Sequence, residues 1–330
     1  MSRKRNFNEL LSEYAIWFIF LIMIVVFTFG NQTFVKPNNI VAILRQVAVY
    51  GVASVGMTFV ILTGGIDLSI GSIITFVNII CATFIVNWGL NIWVAIVLSL
   101  IAATAIGFLN GFMVAKIGIP PIIATFSTQT IFQGASYLIS GGMPISGMPD
   151  SFDLFGKSTV GIVPVSTIIM IACFAIGAFI LNKTYFGRYF YAIGGNEQAA
   201  ELSGIRVDKT KYLVYALSGL FAGIAGIIML SRTGSAQNTA GLGYEFDVIT
   251  CVVLGGVSVN GGYGRISGVV AGVLFIGSLT NGMILLNISS YTQQVVKGVI
   301  LALAVGLDLL TKNPEFRARM DKRRKAKENR

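Results

Sequence analysis

Apolar stretches long enough to cross a bilayer fill almost the whole 330-residue chain, and this leaves few folds open to it. A helix rises about 1.5 Å per residue and the hydrocarbon core is about 30 Å thick, so about 20 apolar residues make one crossing. Ten stretches approach that length: 14–30, 46–63, 70–87, 92–115, 120–140, 161–181, 212–231, 246–257, 264–286 and 293–311. The eighth is short and opens into a glycine-rich turn, as a broken or re-entrant helix would. The expected fold is an all-α integral membrane protein of about ten transmembrane helices.

Orientation follows from the basic residues, because Lys and Arg are retained on the cytoplasmic side of short loops. With ten spans and the N-terminus inside, 19 of the 24 basic residues fall inside. These are Arg3, Lys4, Arg5, Lys116, Lys183, Arg188, Arg206, Lys209, Lys211, Arg265 and the nine from Lys312 to Arg330. Lys36, Arg45, Lys157, Arg232 and Lys297 lie outside or near an outer end. Both termini are therefore expected in the cytoplasm. Residues 1–311 read as one polytopic membrane domain with an inside loop at 182–211, and 312–330 as a basic cytoplasmic tail.

A charged fraction of 12%, against about 25% for ordinary soluble domains, excludes a separate soluble unit. The net charge of +10 sits in the inside loop and tail, where it meets anionic lipid headgroups, so it does not point to nucleic acid. Arg3, Lys4 and Arg5 before an apolar run mimic a secretory signal. Phe29-Gly30-Asn31-Gln32 offers no cleavage site, which makes this run the first span. Cys81, Cys173 and Cys251 all fall inside spans, with neither disulfide nor metal spacing.

The chain has no histidine, which removes histidine bases, metal ligands and proton relays together. No enzyme chemistry, metal or cofactor is expected. Asp67, Glu245, Asp247 and Asp308 are the acidic residues within or beside spans, and they fall near predicted helix ends, which lends ion coupling little support. Gly156-Lys157-Ser158-Thr159 has Ser151 where a phosphate-binding loop needs its first glycine. Gly262-Tyr263-Gly264-Arg265-Ile266-Ser267 joins two apolar spans with no strand before it. Any ATP must be bound by another subunit.

Three segments carry functional expectations. In the inside loop, Asn196 can cap a short helix, Glu197 suits its positive start, Ala199 and Ala200 favour it, and Gly204 can end it. Such a helix can dock into a soluble partner, although composition alone favours a solvated or lipid-surface loop. In the fifth stretch, Thr125, Gln129, Gln133 and Ser136 share one helical face. That face either lines a path for an uncharged, hydroxyl-rich solute or holds helices together. Finally, Thr63 to Ser72 breaks the apolar run after span two, and Gly255 to Gly262 breaks it after span eight. Five spans per half would give the halves opposite topology, consistent with an inverted repeat.

The runs Gly64-Gly65-Ile66-Asp67-Leu68-Ser69, Phe186-Gly187-Arg188-Tyr189, Ala192-Ile193-Gly194-Gly195-Asn196-Glu197 and Leu202-Ser203-Gly204-Ile205 resemble permease subunits of bacterial ribose-type ABC sugar importers. So do Ser235-Ala236-Gln237, Gly243-Tyr244-Glu245 and Val252-Val253-Leu254-Gly255-Gly256, and the resemblance covers about residues 40–310. It implies a multi-pass permease of the bacterial cytoplasmic membrane, paired with a second permease copy, expected to be identical. It also implies ATP-hydrolysing cassette subunits docked from the cytoplasm and an extracytoplasmic sugar-binding protein. The family's coupling segment, a Glu-Ala-Ala-like pattern followed by glycine, falls on Glu197, Ala199, Ala200 and Gly204, next to Asn196, with Gln198 interrupting it. The solute is expected to be a monosaccharide, ribose first among pentoses, galactose and a furanose signal. The alternatives are an ion-coupled secondary sugar carrier and an intramembrane enzyme.

Overall fold

The computed structural model describes residues 7–312; Arg3, Lys4, Arg5 and the basic tail beyond Lys312 lie outside the described residues. The chain forms helices α1 (Phe7–Gly30), α2 (Pro37–Leu62), α3 (Ile70–Asn87), α4 (Ile92–Ile117), α5 (Pro121–Ser140) and α6 (Val165–Lys183). It continues through α7 (Tyr185–Gly195), α8 (Glu197–Leu202), α9 (Val207–Thr233), α10 (Tyr244–Leu254), α11 (Ile266–Leu285) and α12 (Ser290–Lys312). The last turns of α3 and α4 widen to π geometry from Thr83 and Met113. Two short antiparallel ladders pair Ile145–Ser146 (β1) with Ser235–Ala236 (β4), and Thr159–Val160 (β2) with Val163–Pro164 (β3).

Each expected span has its helix, and the protein is an all-α integral membrane protein. Among the described residues, seven helices, α2, α3, α4, α6, α9, α11 and α12, are long and apolar enough to cross a membrane. The other three fall short for separate reasons. In α1 the apolar part is Ile16–Gly30. Helix α5 has 20 residues, long enough, but carries the polar face, and α10 has only 11 residues, about 16 Å of rise. Helix α2 begins earlier than hydropathy indicates because Pro37 stands in its first turn, where its fixed φ suits a helix and no N–H is lost. Helix α6 starts later because the β2–β3 hairpin and Pro164 occupy its expected beginning.

Lipid offers no hydrophobic drive for one apolar helix to leave it for another, so helices associate through close backbone packing. The α4–α9 crossing illustrates this. A Cβ on Gly219 of α9 would meet the Ala103 carbonyl of α4, and one on Gly107 of α4 would meet the Tyr215 carbonyl of α9. Helix α9 also packs on α2 and α3, which puts α2 and α9 at the centre of the bundle.

The second and third helices of the first half, α2 and α3, correspond in order to α9 and α10 of the second. Each third helix follows a non-helical segment, 63–69 for α3 and 234–243 for α10, so the second break that mirrors the first lies before α10 and not, as expected, at the 255–262 turn after it. These two segments approach from opposite ends of the bundle and the helix starts meet, Gly71 of α3 lying against Glu245 and the Gly241 carbonyl. This arrangement is consistent with an inverted repeat, with α7 and α8 inserted between the first and second helices of the second half, α6 and α9. One end of the bundle gathers Leu62, Gly194 and Gly262, whose N–H donates to the Leu62 carbonyl at 2.9 Å. The other gathers Asn31 with Leu285, Phe152 with Ser231, and the β1–β4 ladder.

Candidate functional site

Non-helical backbone at membrane depth leaves N–H and C=O groups that lipid cannot satisfy, so such segments must be buried in protein. In this chain the polar face of α5 supplies much of that satisfaction. Thr125 Oγ1 accepts from the Leu68 N–H at 3.1 Å, in the first break, and donates to Pro121 O at 2.9 Å. Gln133 Nε2 donates to the Asn238 carbonyl at 2.7 Å, in the second break, and Ser140 Oγ donates to Asn238 Oδ1 at 2.8 Å. Between them, Gln129 Nε2 donates to Glu245 Oε1 at 2.9 Å, at the start of α10. Ser136, also expected on this face, is buried and donates back to Phe132 O of its own helix. Helix α3 holds the other side of the second break, where Thr75 Oγ1 accepts from Gly241 N–H and Asn78 Oδ1 from Gln237 N–H, both at 3.0 Å. Three of the four expected path residues therefore bind the two discontinuities to one helix.

The first break is organised by Asp67, which is fully buried. Its Oδ1 accepts from Ser69 N–H at 3.0 Å and Ser69 Oγ at 2.6 Å, a local Asx turn, and its Oδ2 accepts from Ser218 Oγ of α9 at 2.7 Å. The chain extends through Asn110 of α4, whose Nδ2 donates to Ser69 Oγ at 2.8 Å, to Thr128 of α5, which donates to Asn110 Oδ1 at 2.7 Å. One carboxylate thus ties the break to three helices. Sequence placed Asp67 at a helix end; its three-donor environment comes from residues up to 151 positions away.

A second buried acidic group belongs to α10. Asp247 pairs with Lys297 of α12 at 2.8 Å, and the Lys297 ammonium stands 5.9 Å from the centre of the Tyr50 ring, which stacks on Tyr244. Lys297, counted by sequence near an outer end, thereby anchors α12 to the short helix.

The inside loop folds as two helices. Helix α7 was not anticipated, but α8 is: Asn196 Oδ1 accepts from Ala199 N–H at 2.9 Å as a helix cap, and Gly204 has φ 84°, which suits glycine. Glu197 is salt-bridged to Lys211 of α9 at 2.7 Å. Ala200 is turned inward, packed with Ile193 and Val207, while Gln198, Ala199 and Leu202 are exposed, Leu202 to 90%. At the end of α7, Gly194 sits so close to the Leu62 carbonyl and Gly262 N–H that a Cβ there has no room. The loop is therefore seated, at one end of the bundle, on the end of α2 beside the first break and on the 255–262 turn after α10. No group of histidine, cysteine or carboxylate side chains among the described residues is arranged to hold a metal.

Discontinuous helices whose starts meet inside a bundle, held by buried polar side chains, are an architecture that many membrane transporters use. The comparisons place this chain within a family. Residues 39–305 match the family described as "Branched-chain amino acid transport system / permease component", and the chain belongs to that family of transport permeases, in its ribose-type group. It is 44% identical over 308 residues to the ribose import permease protein RbsC of Bacillus subtilis (strain 168), covering 93% of this chain and 95% of that one. Identity to RbsC of Escherichia coli (strain K12) is 42%, covering 93% and 97%, and to its L-arabinose transport system permease protein AraH 37%, covering 92% of each. The family is one of transport components, not enzymes. No solved structure gives a significant match.

Proposed function

We propose that this chain is the membrane-spanning subunit of an ATP-binding cassette importer that carries a monosaccharide, ribose first, across the bacterial cytoplasmic membrane. A separate cassette ATPase supplies the energy, an extracytoplasmic binding protein delivers the sugar, and a second copy of the chain completes the channel. The similarity to ribose and arabinose permeases along nearly the whole chain carries this reading. An ion-coupled carrier has less in its favour, because Asp67 and Asp247 are already committed to internal hydrogen bonds and an ion pair.

Both termini face the cytoplasm in this reading, with residues 1–311 as the permease domain and 312–330 as a basic tail against the membrane. Accessible cysteines test the topology. Ile162→Cys lies in the loop before α6 and Gln198→Cys on α8, and both positions are exposed. In intact cells an impermeant thiol reagent should label position 162 and not 198; the reverse pattern would invert the orientation.

The ATPase docks on α8. Asn196 caps it, Glu197 fixes it to α9, and Gly204 turns the chain back. Ala200 sets its tilt from below, and Gln198, Ala199 and Leu202 present its free face. A photo-crosslinker at Leu202 should capture the ATPase, and one at Ile162 should not; capture at neither position, or at both equally, would count against this docking.

The polar face of α5 lines the path. Thr125, Gln129, Gln133 and Ser136 span about 16 Å of helix, and their hydrogen bonds to the two breaks can exchange for bonds to sugar hydroxyls when the breaks re-pack. Gln133→Leu should lower uptake about tenfold while costing about 1–3 kcal/mol in stability, because it leaves the buried Asn238 carbonyl without its donor. A variant that loses folded protein yet transports normally per folded molecule would assign this face to helix packing alone.

A further inference from the structure

Directly beneath the first break is a cavity of about 430 Å³, on the same end of the bundle as α8. Thr63, Gly65 and Pro121 line it, together with Glu197, Lys211 and Tyr215. Pro121 stands one helical turn below Thr125, so the cavity continues the polar column of α5 toward that end. Small-molecule sites run about 300–1,000 Å³, which puts this one in range for a monosaccharide.

Its polar groups select the ligand class. The Tyr215 hydroxyl lies within the protein, with the residue only 1% exposed, and has no hydrogen-bond partner. Buried hydroxyls are ordinarily paired; Tyr215 lines the cavity with its oxygen packed against Gly65 and unpaired, so a sugar hydroxyl entering there can supply the missing bond with a small shift of that packing. A Cβ on Gly65 would stand 2.5 Å from that oxygen, so glycine there leaves the hydroxyl its place. Glu197 and Lys211 bring one carboxylate and one ammonium 2.7 Å apart, a pair with no net charge that offers both acceptors and donors. An anionic ligand would meet the carboxylate; a neutral polyol satisfies both members. Pro121 and its neighbour Pro120 give an apolar surface for the C–H face of a sugar ring.

We propose that this cavity is a cytoplasmic-side site for a neutral monosaccharide, and that the bound sugar bridges Glu197 of α8 to Lys211 and Tyr215 of α9. A ligand that binds only one arrangement of α8 shifts the protein toward it by its differential affinity. Accumulated sugar thereby restrains the helix that couples ATP to transport and slows its own import. The feedback part rests on reading α8 as the ATPase-docking helix; the binding part does not.

Binding is measured first on the full chain alone in lipid nanodiscs, titrated with D-ribose and followed by saturation-transfer NMR. Millimolar binding is expected. Tyr215→Phe should weaken it about fivefold, the loss of one neutral hydrogen bond, without lowering the melting temperature, since it removes an unpaired buried group. Ala115→Leu, which fills the cavity from α4, should weaken it as well and serves if the tyrosine variant does not fold. In proteoliposomes with the ATPase outside, external D-ribose should slow ATP hydrolysis by the unaltered chain and not by Tyr215→Phe. Absence of binding at saturating D-ribose, equal binding by both variants, or tighter binding of ribose 5-phosphate than of ribose would overturn the site. Binding that depends on Tyr215 in a chain that never associates with an ATPase would sustain the site and overturn the coupling reading instead.

Discussion

Gly194→Val is expected to abolish transport, with uptake per folded molecule falling at least about a hundredfold, while Gly195→Val beside it has little effect. The difference is steric. A Cβ on Gly194 would overlap the Leu62 carbonyl and the Gly262 N–H, whereas one on Gly195 meets nothing within 4 Å. The Gly262 N–H donates to Leu62 O at 2.9 Å, so the wedge would part the end of α2, the end of α7 and the turn at Gly261–Gly262 together. Overpacking of this kind costs about 1–3 kcal/mol or more, and about 3 kcal/mol taken from the state that α8 must report is worth roughly two powers of ten. Uptake assays normalised to the monodisperse protein recovered in detergent give the number. Equal activity of the two valine variants would show that the junction is not part of the coupling route.

Asp67→Ala is expected to have the largest effect on stability. It removes the acceptor of three hydrogen bonds in a fully buried position and leaves the Ser69 N–H and the Ser69 and Ser218 hydroxyls without it. Each orphaned buried donor costs about 1–3 kcal/mol, so a loss of about 3 kcal/mol or more is expected. Asp67→Asn retains one side-chain acceptor and should lose less. Adding Ser218→Ala to Asp67→Ala removes one orphan and should recover part of the loss, since residues sharing a network are not additive. Thermal unfolding of the purified variants measures all three. A wild-type melting temperature for Asp67→Ala would mean that the carboxylate organises nothing.

The helices were legible in the sequence because their signal is local. Hydropathy located every span, and the Asn196, Glu197 and Gly204 signature located α8, since a cap, a charge at the helix start and a left-handed glycine act within a few residues. Helix α7 was missed because its apolar residues alternate with the polar and small residues of a loop already read as cytoplasmic. The short α10 was anticipated as a broken helix, but the depth of its start was not. That depth is set by Thr75 and Asn78 of α3 and Gln129 and Gln133 of α5, which hold Gly241, Gln237, Glu245 and Asn238 across more than a hundred residues of chain. Polar periodicity on α5 identified the donors and could not identify what they donate to. Asp67 was likewise visible as an acidic residue beside a glycine break, whereas its link to Ser218 arises only when α9 crosses α2.

Reconstitution in sealed proteoliposomes tests most directly whether an ATPase drives this permease. The purified chain is incorporated with its cassette ATPase and binding protein, and radiolabelled D-ribose movement is followed with ATP supplied on the ATPase side, or with an imposed proton or sodium gradient and no ATP. ATP-dependent movement from the binding-protein side to the ATPase side, absent under the ion gradients and lost on removal of the ATPase, is the predicted result. Gradient-driven movement by the chain alone would contradict it and identify an ion-coupled carrier.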